Sequence, residues 1–175
     1  MTFFARHRRL AIFALIVLAQ AVVVLALVVR EERLLAEGTE ITLEVVPVDP
    51  RDLLRGDYVT LGYEAQDLAN VLGDFATEGE TVYVVFQQRG EYWVPIEYNR
   101  DRVSPSSLPS GSVQIKARVT SSNLGRIRVD YPNLDRYYIP SGTGNPPSIP
   151  DAVVTVTGDG EARLVRLLID GQPWP

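Results

Sequence analysis

Three aspartates come closest to a chemical site in this sequence: Asp49, Asp52 and Asp57 lie within nine positions of one another. Carboxylate oxygens are the ligands that Ca²⁺ prefers, so such a cluster can hold that ion. Its spacing matches no EF-hand loop, and each aspartate stands where a turn or a cap can use its side chain. The pattern therefore favours turns, and we predict no metal site and no cofactor.

A serine–lysine pair is the sharpest enzymatic alternative. Lys116 is the only lysine, and the residues around it alternate as in a strand. A buried lysine beside a serine can act as a general base, as in membrane-anchored signal peptidases. Those enzymes place the nucleophilic serine soon after the anchor, usually before a methionine, whereas the first serine here is Ser104 and the only methionine is Met1. A solvated Lys116 on the polar face of its strand is the favoured interpretation.

The composition excludes several other functions. The sequence has no cysteine, and its only histidine, His7, lies in a basic N-terminal segment. Thiol catalysis, a Ser-His-Asp triad and a zinc site built on these residue types are therefore excluded from the rest of the chain. The net charge is −5 overall and −8 beyond residue 33, because residues 1–33 carry five arginines against two glutamates. Such an acidic domain has no electrostatic footprint for nucleic acid.

A long apolar run near the N-terminus predicts a membrane anchor. Residues 10–29 contain one strongly polar side chain, Gln20, and twenty residues at 1.5 Å each span a hydrocarbon core of roughly 30 Å. Ala19-Gln20-Ala21 resembles the cleavage site of a signal peptide, but the apolar stretch Val22–Val29 follows it, where a mature chain should turn polar. We therefore predict an uncleaved, single-pass helix in the cell membrane.

The residues on either side of this run predict its orientation. Residues 1–9 are basic, and the positive-inside rule places this tail in the cytoplasm and the C-terminal part of the chain outside. Residues 30–38 are predicted to extend the helix as a short stalk that Gly38 ends. An extracytoplasmic domain then occupies residues 39–175.

The pattern beyond the stalk predicts a mainly β domain. Apolar and polar residues alternate in nine stretches bounded by turn-forming residues. The predicted strands are residues 41–48, 58–64, 81–88, 91–98, 112–120, 126–131, 136–139, 152–157 and 162–169. Leu68 and Leu72 add one short helix at residues 65–72, closed by Gly73. Because the helices that parallel winding requires are missing, the predicted fold class is a β-rich barrel or sandwich.

One stretch carries the most specific pattern. Gly56-Asp57 predicts a turn, and the residues that follow it alternate as a strand. Leu61 and Tyr63 share the more apolar face, which we expect to pack in the core. Tyr58 lies on the other face with Gly62, where the missing side chain leaves room for another chain to approach. We therefore expect Tyr58 to be partly exposed at a docking groove.

Residues 56–63 also resemble the pattern Gly-Asp-Tyr-x-x-Leu-x-Tyr, which names the GDYXXLXY protein family of bacterial membrane-anchored proteins. Two further features are similar to that family: Arg136-Tyr137-Tyr138-Ile139-Pro140 before a glycine-bearing loop, and a terminal hairpin that ends in Leu168-Ile169-Asp170-Gly171. The resemblance covers residues 40–172. No established activity comes with this resemblance, but it implies a multi-pass membrane protein as the partner.

The sequence as a whole predicts an envelope-facing domain that docks onto another membrane protein as an accessory subunit, without catalysis. The predicted binding residues are those of the motif: Gly56, Asp57, Tyr58, Leu61 and Tyr63. The expected partners are the lipid bilayer and a multi-pass membrane protein, and no nucleic acid is expected. A membrane-anchored Ser/Lys hydrolase and a binder of a small envelope ligand in the barrel mouth are the alternatives.

Overall fold

The computed structural model describes residues 2–46, 58–73, 75–123, 126–144 and 146–175. The chain divides into two compact units between Glu37 and Gly38. The first unit is helical, and the second, which we call the β unit, contains all the strands of the described residues.

The helical unit is one continuous helix, α1, from Thr2 to Glu37. Within it, the segment Ile12–Val29 has a mean hydropathy of 3.1, and its side chains are exposed. A helix of this length and apolarity can cross a bilayer. The prediction of one N-terminal helix able to span a membrane is confirmed.

The β unit contains twelve strands within the described residues. They are β1 (Thr39–Val46), β2 (Tyr58–Thr60), β3 (Gly62–Tyr63), β4 (Leu72–Gly73), β5 (Thr81–Arg89), β6 (Tyr92–Asn99), β7 (Ser112–Asn123), β8 (Arg126–Asp130), β9 (Arg136–Tyr138), β10 (Asp151–Val156), β11 (Ala162–Ile169) and β12 (Gln172–Trp174). Apolar residues alternate inward along them, as Val82, Val84 and Phe86 do on β5. A single core results.

The strands form two five-stranded sheets and one two-stranded ribbon. The sheet orders are β12-β11-β10-β1-β3 and β4-β6-β5-β7-β8, and the ribbon consists of β2 and β9. The sheets curl into a half-barrel, so the predicted mainly β fold is confirmed. Strand β1, which follows the helix, pairs antiparallel with the distant β10, with Thr39 opposite Val156.

The hairpins follow the local turn signals, with one addition. The predicted pairs 81–88 with 91–98 and 152–157 with 162–169 are present as β5–β6 and β10–β11. The sequence prediction missed β12, which pairs with the end of β11. Asp170 and Gly171 between these strands have φ values of 51° and 76°, as a tight two-residue hairpin turn requires. The chain therefore turns back once more, and Trp174 packs against the core.

The predicted short helix at residues 65–72 is wrong. Only one 3-10 turn forms there, at Glu64–Gln66. The backbone N–H of Leu68 donates to the carbonyl of Ile127 at 2.8 Å, so it serves a distant strand instead of a helical turn. Leu68 is buried as expected, but Leu72 is 78% exposed on the parallel edge strand β4.

Gly73 lies against β6 and does not close a helix. A Cβ atom added there would lie 2.5 Å from the ring and from the carbonyl oxygen of Tyr98. This distance is shorter than non-bonded carbon and oxygen atoms allow. We therefore expect Gly73→Ala to lower the free energy of unfolding of residues 38–175 by about 1–3 kcal/mol, as overpacking does.

Gly158→Ala is the matched control in chemical denaturation. A Cβ at Gly158 meets nothing within 4 Å, and the φ of this residue lies outside the left-handed region. Its stability should stay the same or rise slightly, because alanine restricts the unfolded chain. Equal denaturation midpoints for the two variants would show that β4 can move away from Tyr98 without loss of stability.

Candidate functional site

The motif strand is divided between two partners. Gly56 and Asp57 lie outside the described residues, whereas Tyr58, Leu61 and Tyr63 are described. Instead of one continuous strand, β2 pairs with β9 and β3 pairs with β1. The N–H of Leu61 donates to the carbonyl of Asp135 at 2.9 Å, at the point where the chain changes partner.

The expected inner face of this stretch is confirmed. Leu61 is 3% exposed, Tyr63 is 2% exposed, and Val59 packs against the core. Leu61 and Tyr63 are therefore core residues.

Tyr63 and Tyr131 form a pair of crossed hydrogen bonds, which we call the tyrosine clasp. The Tyr63 hydroxyl donates to the carbonyl of Leu134 at 2.6 Å, and the Tyr131 hydroxyl donates to the carbonyl of Ala65 at 2.6 Å. The two rings meet edge to face, with centroids 6.4 Å apart. Each tyrosine thus fastens the backbone beside the other, and the motif segment is tied to the turn after β8.

Burial governs the ionisation of both clasp hydroxyls. It raises the pKa of Tyr63 and of Tyr131 well above the ordinary value for tyrosine, and the nearby carboxylates of Asp135 and Asp130 raise them further. Both rings are therefore neutral donors at physiological pH. Their geometry suits positioning of the backbone rather than proton transfer.

The outer face of the ribbon carries an exposed aromatic and cationic cluster, the ribbon patch, made of Tyr58, Arg136 and Tyr138. The rings of Tyr58 and Tyr138, which are directly opposite each other, have centroids 6.0 Å apart. The guanidinium carbon of Arg136 lies 5.4 Å from the centroid of the Tyr58 ring. Tyr138 is 73% exposed, and Tyr58 is half-buried beside it.

The partial exposure predicted for Tyr58 is confirmed, but the sequence does not mark its neighbours as site residues. Arg136 and Tyr138 stood in the aromatic run of the resemblance, yet no local signal pairs them with Tyr58. The predicted groove beside Gly62 is wrong, because Gly62 is buried and pairs with Val46 of β1. Tyr58 is flanked by β9 instead.

The chemical alternatives gain no support from the described residues. Lys116 is exposed, and its Nζ lies 3.9 Å from a carboxylate oxygen of Glu161, so the solvated interpretation is confirmed. Ser104, the first serine, shares a hydrogen bond with Ser106 in an exposed turn. Asp49, Asp52 and Asp57 lie outside the described residues, and the part of the chain that is described holds no cluster of acidic or histidine side chains suited to a metal.

A protein-family model described as "GDYXXLXY protein" matches residues 20–167, most of the chain. No curated protein matches the chain, and no solved structure does. The matched span runs from the apolar helix into β11 and includes the tyrosine clasp and the ribbon patch.

Proposed function

This chain belongs to the GDYXXLXY protein family, and we propose that it is a membrane-anchored accessory subunit that docks onto another membrane protein. Helix α1 would hold it in the cell membrane, and the β unit would face the envelope. The ribbon patch would contact the partner.

The exposure of the ribbon patch is the observation that supports this proposal. Tyrosine and arginine are, with tryptophan, the residues most enriched where protein interfaces gain their binding energy. In the ribbon patch, tyrosine and arginine side chains lie together at the surface of the β unit. Tyrosine rings can also pack inside a β fold, so their position at the surface is informative.

The inner face of the same ribbon explains why the patch can bind without reordering. Val59 and Tyr137 point inward and pack against the core. The tyrosine clasp fixes the chain immediately after β2. A partner would therefore meet side chains that are already positioned, which lowers the entropic cost of binding.

The patch also defines the chemistry of the partner surface. The Tyr58 and Tyr138 rings suit an apolar or aromatic groove, and Arg136 suits a carboxylate at its rim. In this structure the Nε of Arg136 lies 3.3 Å from a carboxylate oxygen of Asp135. Because this ion pair is exposed, it is weak enough for Arg136 to exchange Asp135 for a carboxylate of the partner. An extracytoplasmic loop of a multi-pass membrane protein is the partner we propose.

Photo-crosslinking in native membranes tests the docking surface. A benzoylphenylalanine at position 138 of the full chain should give one adduct with a multi-pass membrane protein. The same probe at Gln88, which is exposed on β5, should give none. Matching adducts from both positions would show that the ribbon is not the docking surface.

Alanine variants then measure the contribution of the patch. Tyr58→Ala combined with Tyr138→Ala should lower recovery of the partner at least about tenfold, as loss of an interface hot spot does. Phe75→Ala is the control, because Phe75 is 75% exposed, similar to Tyr138, and lies outside the ribbon. Equal recovery by the two variants would contradict the proposal.

The proposed orientation has a separate test. The basic residues before the apolar segment Ile12–Val29 favour a cytoplasmic N-terminus. A reporter active only outside the cytoplasm should therefore be active when fused after Pro175, and a cytoplasmic reporter should be inactive there. If the cytoplasmic reporter were active there and the other inactive, the C-terminal end would lie in the cytoplasm and the proposed orientation would be wrong.

A further inference from the structure

We propose that α1 is also a self-association surface, and that two copies of this chain pair in the bilayer through the helix face that carries Gln20. The inference rests on the membrane anchor of the proposed function. It concerns a different surface from the ribbon patch.

Gln20 lies at the middle of the apolar segment Ile12–Val29. Its side chain is exposed along the helix, so in a bilayer it would face hydrocarbon. No water is present there to hydrogen-bond the amide, and the nearest interface is about 15 Å away, too far for this side chain to reach. An amide at this depth therefore needs a partner on another helix.

The residues around Gln20 form a surface that can pack. Phe13 and Leu27 are seven positions before and after it, and Ile16 and Val23 fill the intermediate positions of the same face. This is the spacing of a coiled-coil seam, with the polar residue at its central position. A single polar residue in such a seam fixes which register two helices adopt.

A second copy satisfies the amide most directly. Glutamine carries both a donor and an acceptor, so two glutamines can bond to each other. Two parallel copies with the same topology place Gln20 opposite Gln20 at equal depth without any further requirement. An unrelated helix needs a polar residue at that same depth.

Cysteine crosslinking of the full chain in native membranes tests the pairing, because the natural sequence has no cysteine. Single cysteines at Phe13 or Leu27 should form disulfide-linked dimers on mild oxidation. Cysteines at Leu18 or Val22, which lie about 160° around the helix, should not. Adding Gln20→Leu to the Leu27→Cys chain should lower the association constant about 5- to 30-fold, the effect of 1–2 kcal/mol. Gln20→Asn should restore crosslinking, since asparagine keeps the amide.

The outcomes separate this inference from the proposal on which it rests. A mature chain that begins near Val22 would remove the anchor itself. An intact anchored chain without dimers, or with equal dimers from both helix faces, would overturn the pairing alone. Adducts of one cysteine face with a different protein would show that the Gln20 face binds a heterologous helix, which also overturns it.

Discussion

Replacing Tyr63 with alanine is expected to lower the free energy of unfolding of residues 38–175 by about 3–5 kcal/mol, the range for truncating a large core side chain. Tyr63 is 2% exposed, and its ring packs edge to face on Tyr131. The change leaves a cavity and also removes the donor that the carbonyl of Leu134 uses. Chemical denaturation followed by tryptophan fluorescence measures the loss.

Tyr58→Ala is the matched control, since it removes the other tyrosine of the same motif. Tyr58 lies on the outer face of the ribbon and contacts only Tyr138 and Arg136 among the ring interactions described. The denaturation midpoint of the Tyr58→Ala variant should therefore differ little from that of the natural chain. If both substitutions cost the same stability, the motif serves folding alone and the ribbon patch loses its support as a docking surface.

The β unit is expected to lose stability steeply above pH 10. Burial raises the pKa of Tyr63 and of Tyr131 in the folded chain, whereas both ionise near pH 10 once unfolded. The folded chain therefore holds two protons that the unfolded chain releases. Their contribution to stability is complete below pH 10 and is lost as the pH rises. Two such groups give a loss of roughly 2–3 kcal/mol per pH unit above pH 10.

Denaturation midpoints between pH 8 and pH 12 test this slope. The double variant Tyr63→Phe with Tyr131→Phe should start less stable at pH 8, because two carbonyls lose their donors. Above pH 10 its stability should fall much less steeply than that of the natural chain. Parallel curves for the two proteins would mean that other groups cause the alkaline unfolding.

The hairpins could be predicted because their signals are local. Gly158-Asp159-Gly160 joins β10 and β11 within a few residues, and the alternation of β5 reports its own buried face. The inward position of Tyr63 followed from the same alternation. A local pattern decides such features because the residues that form them are close in sequence.

The features that could not be predicted depend on contacts between residues that are distant in sequence. Leu68 and Leu72 have helical spacing, but a hydrogen bond from Leu68 to Ile127 holds the segment as an edge of the core. The tyrosine clasp likewise joins Tyr63 to Leu134, which lies 71 residues further along the chain. The residues next to Leu68 and Tyr63 in the sequence do not identify Ile127 and Leu134 as hydrogen-bond partners. These contacts are therefore visible only in the folded structure.

The pairing of β1 with β10 determines when this chain can fold. Thr39 emerges from the ribosome, or from a translocation channel, long before its partner Val156. Until then β1 presents one edge without its partner strand next to the end of α1, and the sheet that contains it cannot form. Contacts this far apart in sequence form slowly, and exposed edges invite aggregation meanwhile. The strand that directly follows the helix must therefore wait until β10 has been synthesised, and this half-barrel completes its core only after that point.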